Sequence, residues 1–535
     1  MAFLRKRLAG FAVATAGIVA LFWSFREESG SREFESVCVS GEKREAELSL
    51  HGDSDLPLSV FPDGAVRGEV ILFFETLSAR EAFLSCLKKR GVAALGLIPE
   101  INAVRIAEKT LAAFPDIAGI VSADFNFSVR VPSVESGETL PPELREGGAG
   151  GNAPVGNSAL ALMNASAEAC AASAAGNGIK IAVLDTGVFT EHVAFEGLKI
   201  SKIDVAGGAA DTPESQAHGT AVASLIFGNG AGEISGLASG AEMLAVRVFD
   251  GEGNATAFSL AQGIIAAVES GADIINISAG ITADSAVLRA AVEYARSAGA
   301  TLVAAAGNEG VTALAFPAAY KGVIAVGAVD GNGASAAFSN VGENLAVVAP
   351  GVAVYAAGTD TPDGVVDFSG TSAAAPLVAG ALAAAISNNT GDFDIRKISD
   401  SADDFGVPGR DDEYGAGIVN FERLTRPPGV RITDISVNDF YLSGGKGAGN
   451  ELCLVATMQN RGTLWEACTF SLRITFADGS VSVAGGNLNL RPGESVGQAT
   501  DLSSDNLKTG VYVNAEIRDS GGNILSEKNA FLKKK

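Results

Sequence analysis

Between residues 67 and 130 the apolar positions change period several times. EVILFFET reads as a strand, and SAREAFLSCLKKRG carries its apolar residues at helical spacing. ALGLIPEI and NAVRIAE return to strand, KTLAAFPDIAG predicts a second short helix, and IVSADFNFSV predicts a last strand. The order β-α-β-β-α-β is that of a split βαβ unit. From about Gly156 to Arg426 the pattern is different: the short runs IKIAVLDTGV, EMLAVRVF, ADIINISAG, ATLVAAAGN, GVIAVGAV and LAVVAP are apolar at nearly every position. They alternate with helical stretches such as AFSLAQGIIAAVESG and SAVLRAAVEYARSAG. Strands apolar on both sides are buried on both faces, so this alternation predicts a parallel sheet with helices packed on both sides. After Pro427 and Pro428 the helical signals stop. VRITDISVNDFYL, ELCLVATMQN, ACTFSLRITFADG, SVSVAGGNLNL, GVYVNAEIRD and ILSEKNAFL predict strands divided by Gly, Asn and Asp turns, the signature of an antiparallel sandwich over 430–535.

The segments between these units have their own character. VPSVESGETLPPELREGGAGGNAPV, residues 131–155, is too rich in Gly, Pro and Glu to bury apolar surface, which predicts an exposed, protease-sensitive linker. At the start of the chain Arg5, Lys6 and Arg7 precede LAGFAVATAGIVALFWSF, and a polar stretch with Ser29 and Ser31 follows. A basic start, an apolar middle and small residues beyond it form the layout of an export signal. At about 1.5 Å per helical residue the same run also reaches across a bilayer. Residues 1–31 therefore read as a signal peptide or a membrane anchor, and either places the remainder outside the cytoplasm, secreted or held at a membrane by this segment.

Length and charge narrow the picture further. At 535 residues the chain exceeds one ordinary core. A net charge of -23 argues against nucleic acid or an anionic membrane face as a partner, because both repel such a surface. The five cysteines (Cys38, Cys86, Cys170, Cys453 and Cys468) are few for a disulfide scaffold, so packing holds the fold. A bridge between Cys453 and Cys468, on strands either side of QNRGT, is one pairing open to them, and none has a histidine nearby that would suggest catalysis.

Ligands of a parallel α/β sheet bind beyond the carboxyl ends of its strands. Asp185 ends IKIAVLD and is followed by Thr186 and Gly187; alone, this DTG reads as a structural turn or helix cap before it reads as an aspartic-protease half-site. Of the chain's three histidines, His51, His192 and His218, the last opens the helical run AHGTAVASLIFG. A hydroxyl nucleophile needs a base near neutral pKa, and that base needs a carboxylate to fix its tautomer. Ser372, in FSGTSAAAPLVAG, stands at a helix start, where unpaired N–H groups and the helix dipole suit an oxyanion. Pro376 lacks the N–H that would bond the carbonyl of Ser372, so the first turn is held open at the serine. Asn308, after the strand VAAAGNEG, can offer its side-chain NH2 as a second oxyanion donor.

VLDTGV, HGTAVAS, AAAGNEG and GTSAAAP, in that chain order, resemble the aspartate, histidine, oxyanion and serine motifs of the subtilisin-like serine proteases, the subtilase family. ADIINISAG, GVIAVGAV, FSNVGENLAVVAPG and DEYGAGIVN extend the resemblance over about 156–426. It implies a subtilisin-like α/β fold and a serine endopeptidase acting on polypeptides, with Asp185, His218 and Ser372 catalytic and Asn308 in the oxyanion hole. Ser278, Ala279 and Gly280, with Gly307, would line the substrate cleft; His192 sits where relatives have a structural histidine. No cofactor is required for this chemistry. Relatives bind calcium, but no cluster here matches a calcium loop closely enough to name metal ligands.

Departures from the family pattern bear on the cleft's shape rather than the chemistry. Ala221 and Ala373-Ala374-Ala375 replace a histidine and a Met-Ala-Ser run, SAG replaces SLGG, and the stretch from Asn308 to Pro317 is short. The ferredoxin-like α+β unit at 67–130 resembles the family's propeptide, which implies an intramolecular inhibitor and chaperone cut off within 131–155. The C-terminal sandwich resembles CARDB-type, Ig-like modules through QNRGT, LRPGES and GVYVNAEIRD. Two other classes stay open on the sequence: an inactive protease scaffold that only binds, and an aspartic protease using Asp185, which would need a second DTG or DSG.

Overall fold

A computed structural model describes residues 61–114, 118–130, 155–156, 158–166, 175–207, 212–388, 394–427, 429–444 and 451–532. The N-terminal apolar segment, nearly all of the 131–155 linker, Cys38, His51 and Cys170 lie outside the described residues.

The first unit runs β1 (Ala65–Phe74), α1 (Leu77–Lys89), β2 (Gly96–Ile98), β3 (Ala103–Ala107), α2 (Glu108–Ala113) and β4 (Ile120–Arg130). Its strands form an antiparallel sheet in the order β2-β3-β1-β4. Strand periodicity of two divides β1 between two cores. Val70, Leu72 and Phe74 turn toward Phe83 and Leu87 of α1, whereas Ile71 and Phe73 join Phe125, Phe127 and Val129 on the opposite face.

The central domain holds β5 (Lys180–Asp185), β6 (Ile200–Asp204), α3 (Ala217–Phe227), β7 (Glu242–Arg247), β8 (Asn254–Thr256) and α4 (Ala257–Glu269). It continues with β9 (Ile274–Ile277), α5 (Ala286–Ser297), β10 (Thr301–Ala305), β11 (Ile324–Val329) and β12 (Leu345–Pro350). A hairpin of β13 (Val354–Ala357) and β14 (Val365–Phe368) leads into α6 (Thr371–Asn388). The main sheet has the order β12-β11-β10-β9-β5-β7-β6 and is parallel throughout. The chain order reverses between β5 and β9, which is where a doubly wound sheet opens a crevice at its carboxyl edge. Helices α3 and α6 pack on one face of the sheet, α4 and α5 on the other.

The second face of the N-terminal unit closes over α4 and α5. Ile71, Phe73, Phe125, Phe127 and Val129 share one buried cluster with Phe258, Leu260, Ile264, Val287 and Leu288. Main-chain pairing adds to this contact: β4 runs antiparallel to β8, with Ser128 opposite Thr256 and Arg130 opposite Asn254. Two side chains of β4 also cap the helices beneath. Asn126 Oδ1 accepts from Phe258 N at the start of α4 (3.1 Å), and Asp124 Oδ2 accepts from Ala286 N at the start of α5 (2.7 Å).

The C-terminal domain contains β15 (Ile435–Gly444), β16 (Glu451–Asn460), β17 (Glu466–Phe476), β18 (Val481–Leu490), β19 (Ser495–Ser503), β20 (Val511–Arg518) and β21 (Ile524–Leu532). They form two antiparallel sheets, β15-β16-β19 and β18-β17-β20-β21, over one core that includes Leu454, Met458, Phe470, Leu472, Val513 and Ile517. Strand β19 is absent from the sequence expectation. SVGQATDLS alternates too weakly to announce itself and is recruited by its register on β16, where Val496 faces Met458 and Leu502 faces Leu452. The bridge open to Cys453 and Cys468 does not form: Cys468 faces the core between the sheets, whereas Cys453 lies outside that core and its thiol donates to Asp501 Oδ1 at 3.4 Å. Burial pushes the Cys468 thiol up, away from thiolate chemistry. Among the described residues one helix, Thr371–Asn388, is long and apolar enough to cross a membrane, but 83% of it is buried inside the domain.

Candidate active site

Asp185 is the last residue of β5 and is fully buried. Its Oδ1 accepts from Thr186 N at 2.7 Å and meets His218 Nδ1 at 2.8 Å. His218 lies in the first turn of α3, which must approach the β5 loop closely. Gly219 makes the approach possible, since a Cβ there would stand 2.1 Å from the carbonyl oxygen of Gly187. Thr186 Oγ1 accepts from Gly219 N at 3.0 Å and fixes the helix start against the strand end. The His218 ring packs edge-on against Phe368 at a centroid distance of 5.3 Å. A carboxylate only accepts hydrogen bonds, so Nδ1 carries a proton, and in the neutral ring Nε2 presents its lone pair. That Nε2 is buried and has no hydrogen-bond partner.

Ser372 is the second residue of α6 and is 1% exposed. Its hydroxyl donates to the carbonyl of Ser278 at 3.0 Å and not to His218. Ser278, just past the end of β9, answers with its own hydroxyl, which donates to the carbonyl of Ser372 at 3.1 Å. Asn276 Nδ2 donates to Ser278 Oγ at 3.1 Å.

Asn308 follows β10 in the crevice. Its Oδ1 accepts from both Thr371 N and Thr371 Oγ1, each at 2.9 Å, so the amide caps α6. Gly370, at φ 125°, leaves room for this amide beside the helix start: a Cβ there would lie 3.1 Å from Asn308 Nδ2. Thr371 also accepts from Gly307 N at 3.2 Å, joining the β10 turn to the serine helix.

The structure thus brings the elements bearing Asp185, His218, Asn308 and Ser372 to one edge of the sheet, with the hydroxyl aimed at Ser278. Ser278 and Ala279 are buried, and Gly280 packs so closely on Ala315 and Phe316 that a Cβ would come within 2.9 Å. Ile281 and Phe316 exchange main-chain hydrogen bonds just beyond. His192 stands apart: its Nδ1 accepts from Ala194 N and its Nε2 bonds the carbonyl of Gly364, so both ring nitrogens are occupied. Glu309 is exposed and accepts from Asn340 Nδ2 at 2.6 Å. Among the described residues no group of three or more His, Cys, Asp or Glu side chains is arranged to hold a metal ion. Thr371 and the hydroxyl of Ser278 have roles that the sequence reading did not assign. Pro376 was the available signal for Ser278: it leaves a carbonyl that some donor must satisfy, without saying which.

Among families of known proteins, residues 176–417 match the subtilase family. A thermophilic serine proteinase of Bacillus sp. (strain AK1) is 40% identical over 242 residues, 45% of this chain and 60% of that protein's length. Subtilisin BL of Lederbergia lenta is 36% identical over 258 residues, 47% of this chain and 92% of the relative. A thermostable alkaline protease of Halalkalibacterium halodurans is 38% identical over 261 residues, 47% of this chain and 68% of the relative.

Proposed function

Because this chain belongs to the subtilase family, we propose that it is an exported serine endopeptidase, made as a self-processing precursor and acting through Asp185, His218 and Ser372. One observation carries the reading: His218 is fixed by Asp185 at 2.8 Å while its Nε2 remains buried and unpartnered near the serine helix. For this chemistry the Ser372 hydroxyl must leave the Ser278 carbonyl and turn to this nitrogen. His218 then accepts the hydroxyl proton as Oγ attacks the scissile carbonyl, and Asp185 stabilises the imidazolium. Asn308 Nδ2 and the Ser372 N–H hold the oxyanion. The protonated His218 next donates to the leaving amine, freeing it from the acyl-enzyme, and a water repeats the sequence to release the acid.

Polypeptides are the substrates, bound along the main chain of Ser278, Ala279, Gly280 and Gly307, and no cofactor takes part in the chemistry. The unit at 67–130 serves as the inhibitory propeptide; its seat on α4 and α5 and its pairing with β8 support that role. Cleavage within 131–155 releases it. Residues 1–31 export or anchor the chain, and the sandwich at 430–535 caps the catalytic domain at 156–426.

Expression of wild type beside Ser372→Ala tests the reading. Wild type is expected to react with a fluorophosphonate at Ser372, to hydrolyse peptides and to show a new N-terminus within 131–155. The variant is expected to do none of these. Equal processing in both would remove self-maturation, and a wild type inert to both probe and peptide would remove the protease reading.

A further inference from the structure

We infer that Ser278 is a positioning residue for the nucleophile, its hydroxyl replacing the helical hydrogen bond that Pro376 cannot make. This inference rests on the protease reading above. In an α-helix the carbonyl of Ser372 would accept from the N–H of residue 376. Proline has no N–H there, and a carbonyl without a partner inside so buried a helix is costly. The Ser278 hydroxyl supplies the missing donor at 3.1 Å.

A neighbouring amide supports that donation. Asn276 and Ser278 are two residues apart and so face the same side of their strand, toward α6. Asn276 Nδ2 donates to Ser278 Oγ, so the single proton of Ser278 is left for the Ser372 carbonyl. Holding this carbonyl fixes ψ of Ser372, and with it the direction of the Cα–Cβ bond that carries the attacking oxygen. Ser278 is fully buried and its proton is committed, so its side chain has nothing to offer a substrate; any contact from this residue to a peptide comes from its main chain.

The test compares Ser278→Ala in two backgrounds, wild type and Pro376→Ala. The second background restores a backbone N–H at the position the helix would use. With processed enzyme titrated by fluorophosphonate, Ser278→Ala should lower kcat by about 10- to 100-fold while KM stays within about threefold. In the Pro376→Ala background the same change should cost less than about threefold. A parallel cycle by chemical unfolding of the full-length Ser372→Ala chain should show the same pattern in stability, and it reads the contact whether or not the chain hydrolyses peptides. Equal losses in both backgrounds, no loss in either, or a rise in KM alone would overturn the inference. If wild-type enzyme proves inert while the unfolding cycle shows coupling, the protease reading fails and the Ser278 contact survives it as a structural one.

Discussion

The imidazole of His218 is held at one nitrogen and open at the other, and this asymmetry sets what single substitutions should do. Asp185→Asn presents an amide that can donate to Nδ1, which favours the wrong tautomer; kcat should fall by about 10⁴-fold in steady-state assays with folding retained. Asn308→Ala removes one prospective oxyanion donor and should lower kcat by about 100-fold with little change in KM. Asn308 also caps α6 through Thr371, so Asn308→Asp, which keeps the acceptor and removes the NH2, separates the two roles: activity should fall while the melting temperature holds. If instead both variants lose activity only in step with melting temperature, Asn308 is a cap alone. The residue types and their chain order were legible in the sequence because each motif needs a small neighbour, such as Gly219 or Gly370, that permits close approach. The direction of the Ser372 hydroxyl was not legible, since it depends on a carbonyl 94 positions away in the chain.

The seating of the N-terminal unit on α4 and α5 is an arrangement between elements, and the carboxyl of Asp124 lies in it. Asp124 is 6% exposed and accepts from Phe125 N and from Ala286 N, with the hydroxyl of Ser285 at 3.4 Å. Burial pushes its carboxyl up to about 6 from the ordinary 3.8, against the lowering pull of those donors. A raised value means the folded, docked carboxyl binds a proton that the free one has released. The stabilisation is therefore fully present below 3.8 and is lost as pH rises through about 6. In the Ser372→Ala precursor, hydrogen exchange on β1 and β4 should be slower at about pH 5 than at about pH 7, after correction for the intrinsic rate. Asp124→Asn should flatten that difference, and an unchanged pH dependence in the variant would assign it to other groups. The alternation of two along β1 made this unit's strands readable. Its second apolar face, with Ile71 and Phe73, gave no sign of what covers it, because the partner helices begin far later in the chain.

At the scale of the whole molecule, Asp403 joins the central domain to the sandwich. It accepts from Arg423 Nη1 (3.1 Å), from the amides of Asn420 and Asn164, and from Arg461 of the sandwich at 3.4 Å. Gln459 strengthens the same seam, donating to the carbonyl of Ala402 and accepting from Asp404 N. Arg423 is buried and Arg461 only partly so, so the two should differ in urea unfolding. Arg423→Ala, which leaves a buried carboxylate short of its main partner, should cost about 3 kcal/mol and Arg461→Ala about 1 kcal/mol. Equal losses would place the weight of the seam elsewhere. The three-unit plan was readable from composition shifts and changing period, but this seam was not, because isolated charges in loops carry no period. Its consequence reaches beyond stability. A shortened descendant ending after residue 426 would keep Asp403 with Arg423, Asn420 and Asn164 but lose Arg461 and expose the loop that Gln459 now shields, so the sandwich is less an appendage than a wall of the domain before it.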